Sequence, residues 1–145
     1  MIRIYLVLSL LLSIATGVNC QNTQSLTIDV SGKDCYLFVN SYNEKSDTTN
    51  YYIVFETFFH SDTVAVFAND IKVFFDTIET DRSTGIAKEI KVGKVESVEY
   101  MGFQINSEPI IYLRTIPGKF YVRVKHERDE GQIHICYSKF MFLAF

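Results

Sequence analysis

Phe120-Tyr-Val-Arg-Val-Lys125 and Gln132-Ile-His-Ile-Cys136 carry the pattern that decides the fold. In the first, Phe120, Val122 and Val124 alternate with Tyr121, Arg123 and Lys125; in the second, Ile133 and Ile135 flank His134. A strand turns successive side chains to opposite faces, so each run reads as half-buried β-structure. The polar stretch His126-Glu-Arg-Asp-Glu-Gly131 between them makes the pair a hairpin, with His126 in its connection and His134 on its outer face.

Working back along the chain, runs rich in Val, Ile, Phe, Tyr and Thr recur at Leu26–Val30, Cys35–Val39, Tyr51–Phe59, Thr63–Phe67, Ile71–Ile78, Ile86–Val92, Ser97–Ile105 and Ile110–Thr115. Gly, Asn, Asp, Ser and Pro separate them, as in Ala68-Asn69-Asp70 and Pro117-Gly118. No window of twelve residues carries a helical stripe; Thr80–Val92 comes nearest but contains Gly85 and too few apolar positions. The expectation is an all-β chain, an antiparallel β-sandwich or jelly roll of about nine or ten strands with one disulfide.

The first twenty residues read as an export signal. Arg3 precedes an apolar run from Ile4 to Ile14, and small or polar residues follow. That run is shorter than the roughly twenty residues a spanning helix needs. Cleavage after Gly17 or after Cys20 satisfies the small-residue rule, and the second is preferred. Residues 21–145 then form one domain, secreted and without an integral membrane segment. Losing residues 1–20 removes one Arg and no acid, which leaves 13 basic and 17 acidic side chains and a net charge of −4. Such a balance is unsuited to nucleic acid or an anionic membrane.

Cysteine arithmetic depends on the same cut. Cleavage after Cys20 leaves Cys35 and Cys136, which pair naturally in an oxidising compartment. Closing about 100 residues would stabilise the fold by roughly 4–5 kcal/mol in the chain-entropy account. Cleavage after Gly17 instead retains Cys20 and points to covalent self-association.

Catalytic signatures are missing from the sequence. His60, His126 and His134 lie in no Gly-x-Ser-x-Gly elbow and no His-Glu-x-x-His pair. His60-Ser-Asp62 has the letters of a triad but the composition of a turn. Asp76, Glu79, Asp81, Asp129 and Glu130 lack EF-hand spacing, and Asp81-Arg-Ser-Thr-Gly85 reads as a turn. No Gly-rich phosphate loop and no Asn-x-Ser/Thr sequon occur. No enzyme activity, cofactor or metal is expected.

Aromatic residues are the unusual feature: 12 Phe and 9 Tyr, with no Trp. Phe55, Phe58, Phe67, Phe75 and Phe120 read as core. The doublets Tyr51-Tyr52, Phe58-Phe59 and Phe74-Phe75 put one ring on each face of a strand. Either the sheets are covered on both sides or they offer an aromatic patch. The candidate contact surface is therefore Tyr51, Tyr52, Phe59 and Phe74, with Tyr42 in the polar loop Asn40–Asn50.

Two segments resemble a known family. Leu26-Thr-Ile-Asp-Val-Ser-Gly-Lys-Asp-Cys-Tyr36 is similar to the opening of the Golgi-dynamics (GOLD) domain of early-secretory-pathway cargo receptors, and Gly131-Gln-Ile-His-Ile-Cys-Tyr-Ser-Lys139 to its later strand. The resemblance implies a β-sandwich bridged by Cys35 and Cys136. The span between the cysteines is longer than that family usually shows, and no coiled coil, membrane anchor or sorting tail is expected after the second.

The function expected is a secreted non-enzymatic binding module for a protein or other extracellular partner. A carrier of a small apolar ligand held between the sheets is the alternative, beside a soluble GOLD-like secretory-pathway protein. An unfamiliar hydrolase and a polymerising coat protein are the remaining readings.

Overall fold

The hairpin is present, and a second sheet faces it. A computed structural model describes the backbone of residues 27–31 and the whole of residues 47–139. The elements are β1 (Thr27–Ser31), β2 (Asn50–Phe55), β3 (Asp62–Ala68), β4 (Ile71–Ile78), β5 (Lys88–Lys94), β6 (Tyr100–Ile105), β7 (Ile111–Arg114), β8 (Tyr121–Glu127) and β9 (Gln132–Ser138). One 3-10 turn, Arg128–Glu130, joins β8 to β9. One sheet has the order β1-β9-β8-β2-β5 and the other β4-β3-β6-β7.

Alternation fills the space between them. Ile53, Phe55, Ile90, Val122, Val124, Ile133 and Ile135 from the first sheet meet Val64, Val66, Met101, Phe103, Ile105 and Leu113 from the second in one buried cluster. The rings of Phe59 and Phe103 stand edge-on to Phe55 at 5.4 and 5.7 Å. Each fully buried side chain of this size contributes about 1.5–3 kcal/mol of transfer free energy. The molecule is a β-sandwich.

Three features depart from the sequence reading. The first sheet is mixed, because β1 lies parallel to β9 and β2 parallel to β8. That excludes a jelly roll, whose sheets are antiparallel. Next, β8 continues through Glu127, so His126 extends the inward series of Val122 and Val124 and is buried, not part of an exposed connection.

The remaining departure is a β-bulge. Val66 pairs with Phe74 and Phe67 with Lys72, which leaves Val73 as the extra residue. An inserted residue reverses the phase of the alternation beyond it. Ile71, Val73 and Phe75 look like one buried face in the sequence, yet Phe74 packs on the core and Phe75 turns outward.

The segment Asp47–Asn50 is folded onto the sheet. The Asp47 carboxylate accepts hydrogen bonds from the Thr49 N–H and hydroxyl, the Asn50 amide and the Tyr52 hydroxyl. The remainder of the Asn40–Asn50 loop, including Tyr42, and Cys35 lie outside the described residues, as do Cys20 and the export segment. Among the described residues no helix is long and apolar enough to cross a membrane.

Candidate binding face

The outer face of the β4-β3-β6-β7 sheet is organised in cross-strand rows. One row runs Phe75, Ala65, Gln104; the next Lys72, Phe67, Gly102, Tyr112; a third joins Tyr100 to Arg114. Directly paired residues share a face. Because Val66, Met101, Phe103 and Leu113 point into the core, these rows point out.

Small residues form the floor and rings form the walls. Ala65 and Gly102 occupy the two central strands, while Phe75 on β4 is 64% exposed and Tyr112 on β7 is 56% exposed. Gly102 is needed by this arrangement: a Cβ there would lie 3.3 Å from both Tyr112 Cδ1 and Ile110 Cγ2. Lys72 Nζ sits 4.9 Å from the Phe75 ring centroid and 5.9 Å from that of Phe67. Cation–π contacts of this exposed kind contribute roughly 0.5–1 kcal/mol and hold the rings in place.

A groove of about 670 Å³ opens at the β7 end of this face, lined by Asp70, Glu99, Tyr100, Tyr112, Arg114 and Thr115. Its walls are set by the β3–β4 turn. Asn69 and Asp70 both have positive φ, 47° and 67°, the conformation a two-residue type I′ hairpin requires. The Asn69 side-chain oxygen accepts the N–H groups of Glu99 at 2.9 Å and Tyr100 at 3.3 Å, and its amide donates to the Ser97 carbonyl at 2.7 Å. The Tyr100 hydroxyl donates to the Asp70 carboxylate, which holds the phenol above its ordinary pKa. Tyr100 and Tyr112 meet at 6.0 Å with a 67° interplanar angle. Two tyrosine rings and an arginine at one groove are the residue types that dominate protein interface energetics.

The doublets divide as a strand demands, but not always in the expected order. Tyr51 is buried in the core, and Tyr52 lies on the opposite face, stacked on Tyr121 at 5.1 Å. Tyr52 is thus only partly available, and Tyr51 not at all. Phe59 is fully buried, and Phe74 packs against the core, so neither belongs to a contact surface. Their neighbours are the exposed members: Phe75 through the bulge, and Phe58 because it lies in the β2–β3 connection with φ 74°. Sequence reading missed Tyr100, Tyr112 and Arg114; the alternation in Ile110–Thr115 was their signal, with Tyr112 and Arg114 opposite in phase to Ile111 and Leu113.

His60-Ser-Asp62 is a turn. The backbone N–H of His60, not its ring, donates to the Asp62 carboxylate at 2.9 Å, and Ser61 has φ 54°. Likewise the Asp81 carboxylate accepts the N–H and hydroxyl of Ser83 within its own turn. Among the described residues no group of three or more His, Cys, Asp or Glu side chains is placed to hold a metal ion.

No family model, curated protein or solved structure matches this chain.

Proposed function

We propose that the chain is a secreted, non-enzymatic interaction module that engages a protein partner through the outer face of its β4-β3-β6-β7 sheet. One observation carries the reading: Phe75 and Tyr112, on opposite edge strands of this sheet, each expose more than half of their surface beside a floor of Ala65 and Gly102. Exposed aromatic patches rimmed by polar groups are characteristic of interaction sites. The Tyr100, Tyr112 and Arg114 groove supplies anchors at one end. The interior favours this surface over the ligand-carrier alternative, because the inter-sheet space is occupied by Phe55, Phe59 and Phe103 in ring contact.

Closure by Cys35 and Cys136 belongs to the same reading. Ser31 at the end of β1 is in register with Cys136 on β9. Four further residues reach at most about 14 Å, enough to return Cys35 to bonding distance. The segments that resemble the GOLD domain are thereby neighbours, which supports the pairing that resemblance implies. Intact mass should show two alkylated thiols only after reduction.

Affinity capture from the native extracellular fluid tests the module. Wild-type protein should retain a partner that Phe75→Ser/Tyr112→Ser loses with its circular dichroism unchanged. Equal retention by both proteins places the contact elsewhere, and no retention by either counts against the module.

A further inference from the structure

At the end of the sandwich where β2 passes to β3, three left-handed non-glycine residues surround a buried polar cluster: Phe58 at φ 74°, Ser61 at 54° and Asn106 at 52°. Such backbone is costly and persists where its surroundings impose it. At the centre is Asp62, only 1% exposed, whose carboxylate accepts the His60 N–H at 2.9 Å, the Asn106 amide at 2.7 Å and the Arg128 guanidinium. Arg128 opens the 3-10 turn Arg128–Glu130, so this ion pair fastens that turn to the first residue of β3.

His126 is buried at the same end of the sandwich, its backbone N–H donating to the Thr57 carbonyl at 3.4 Å, and it feels both charges of the pair. It is 9% exposed, its ring is 5.8 Å from that of Phe59, and its Nδ1 has no hydrogen-bond partner among the described residues. The charged groups acting on it are Asp62 from β3, Arg128 from the 3-10 turn and Glu108 from the β6–β7 connection. Its chain neighbours Lys125 and Glu127 alternate to the other face of β8.

We propose that Asp62, Arg128 and His126 form an acid-released latch on the β8–β9 turn. At neutral pH His126 is uncharged, and Arg128 is the cation paired with Asp62. A proton on His126 adds a buried cation that acts on the same carboxylate. The imidazolium cannot leave the interior without unfolding β8, whereas the Arg128 side chain is half exposed. Arg128 is therefore displaced, and the turn detaches together with the cleft of about 400 Å³ formed by Phe58, His60, Glu127, Arg128, Asp129 and Glu130.

The titration has the sign the latch requires. Burial, aided by Arg128, holds His126 below its ordinary pKa despite Asp62 and Glu108. The unfolded or opened state thus binds the proton more readily, so closure is complete at neutral pH and weakens as pH falls below the ordinary histidine value of about 6.5. Asp62 stays ionised throughout this range: burial raises its pKa, but the His60 and Asn106 hydrogen bonds with the Arg128 and His126 charges outweigh it and hold the carboxyl low.

Hydrogen exchange between pH 7.5 and 5, corrected for intrinsic rates, tests the latch alongside an NMR titration of the His126 ring in the full chain. Protection at residues 57–62 and 128–131 should fall about tenfold or more, with the midpoint of the His126 titration. Arg128→Gln, at an exposed position, should raise the His126 pKa and leave the turn open at pH 7.5. His126→Phe should keep it closed at pH 5. Protection that does not follow the His126 titration, or an unchanged or lowered His126 pKa in Arg128→Gln, would overturn the proposal even if His126→Phe fails to fold.

Discussion

The ring of Tyr112 lies against the bare backbone of Gly102 on the neighbouring strand, at a separation that leaves no comfortable room for a Cβ. This contact sets the height of the ring above the sheet and so the shape of the proposed binding face. Gly102→Ala should displace Tyr112 and Ile110 by a few tenths of an ångström and weaken partner retention, with a stability change set by how far those side chains give. Tyr112→Ala should weaken retention at least tenfold, about 1.4 kcal/mol, with little change in the unfolding midpoint because the ring is more than half exposed. Denaturant unfolding beside quantitative capture separates the two effects.

A second prediction concerns the parallel seam between β2 and β8. Glu56 and Arg123 are both buried and joined by an ion pair. Breaking one side of a buried pair leaves an uncompensated charge, so Glu56→Gln should destabilise by about 3 kcal/mol. Replacing both with Glu56→Leu/Arg123→Met should recover most of that loss. Urea titrations of the three proteins check the pattern.

The Phe58-Phe59 doublet offers a direct contrast. Phe59→Ala should cost about 3–5 kcal/mol, since the ring is fully buried against Phe55. Phe58→Gly should lie within about 1 kcal/mol of neutral, because glycine relieves the positive φ while removing a half-exposed ring. Equal losses in thermal or urea unfolding would contradict the assignment of faces.

Tyr52 should ionise well above the ordinary tyrosine range. Its hydroxyl donates to the Asp47 carboxylate, which, with burial, pushes its pKa up to about 12. A raised folded-state value means that the stabilisation is complete below pH 10 and disappears as pH rises towards 12. Ultraviolet titration should lose this late transition in Tyr52→Phe.

The fold was legible where a strand has one wet and one buried face. Val122, Val124, Ile133 and Ile135 declare the hairpin, and the same rule separates Tyr51 from Tyr52. What periodicity cannot disclose is a change of phase. One extra residue at Val73 turns Phe75 outward and Phe74 inward, although Ile71, Val73 and Phe75 form a regular series in the sequence. His126 shows the converse: the series of Val122 and Val124 ran on through it, but its charged neighbours suggested a turn. Parallel pairing of β2 with β8 joins segments far apart in the chain, and no local signal encodes it. The groove was hidden for a similar reason, since Asp70 meets Tyr100 across thirty residues.

The most direct measurement of the binding face is site-specific photocrosslinking in the native extracellular fluid, with the photoreactive residue placed in turn at Phe75, Tyr112 and, as a control, the exposed Lys91 on β5 of the other sheet. The same adduct should form from positions 75 and 112 and not from 91. An adduct from position 91 alone, or none from 75 and 112, would contradict the assignment of the β4-β3-β6-β7 face as the contact surface.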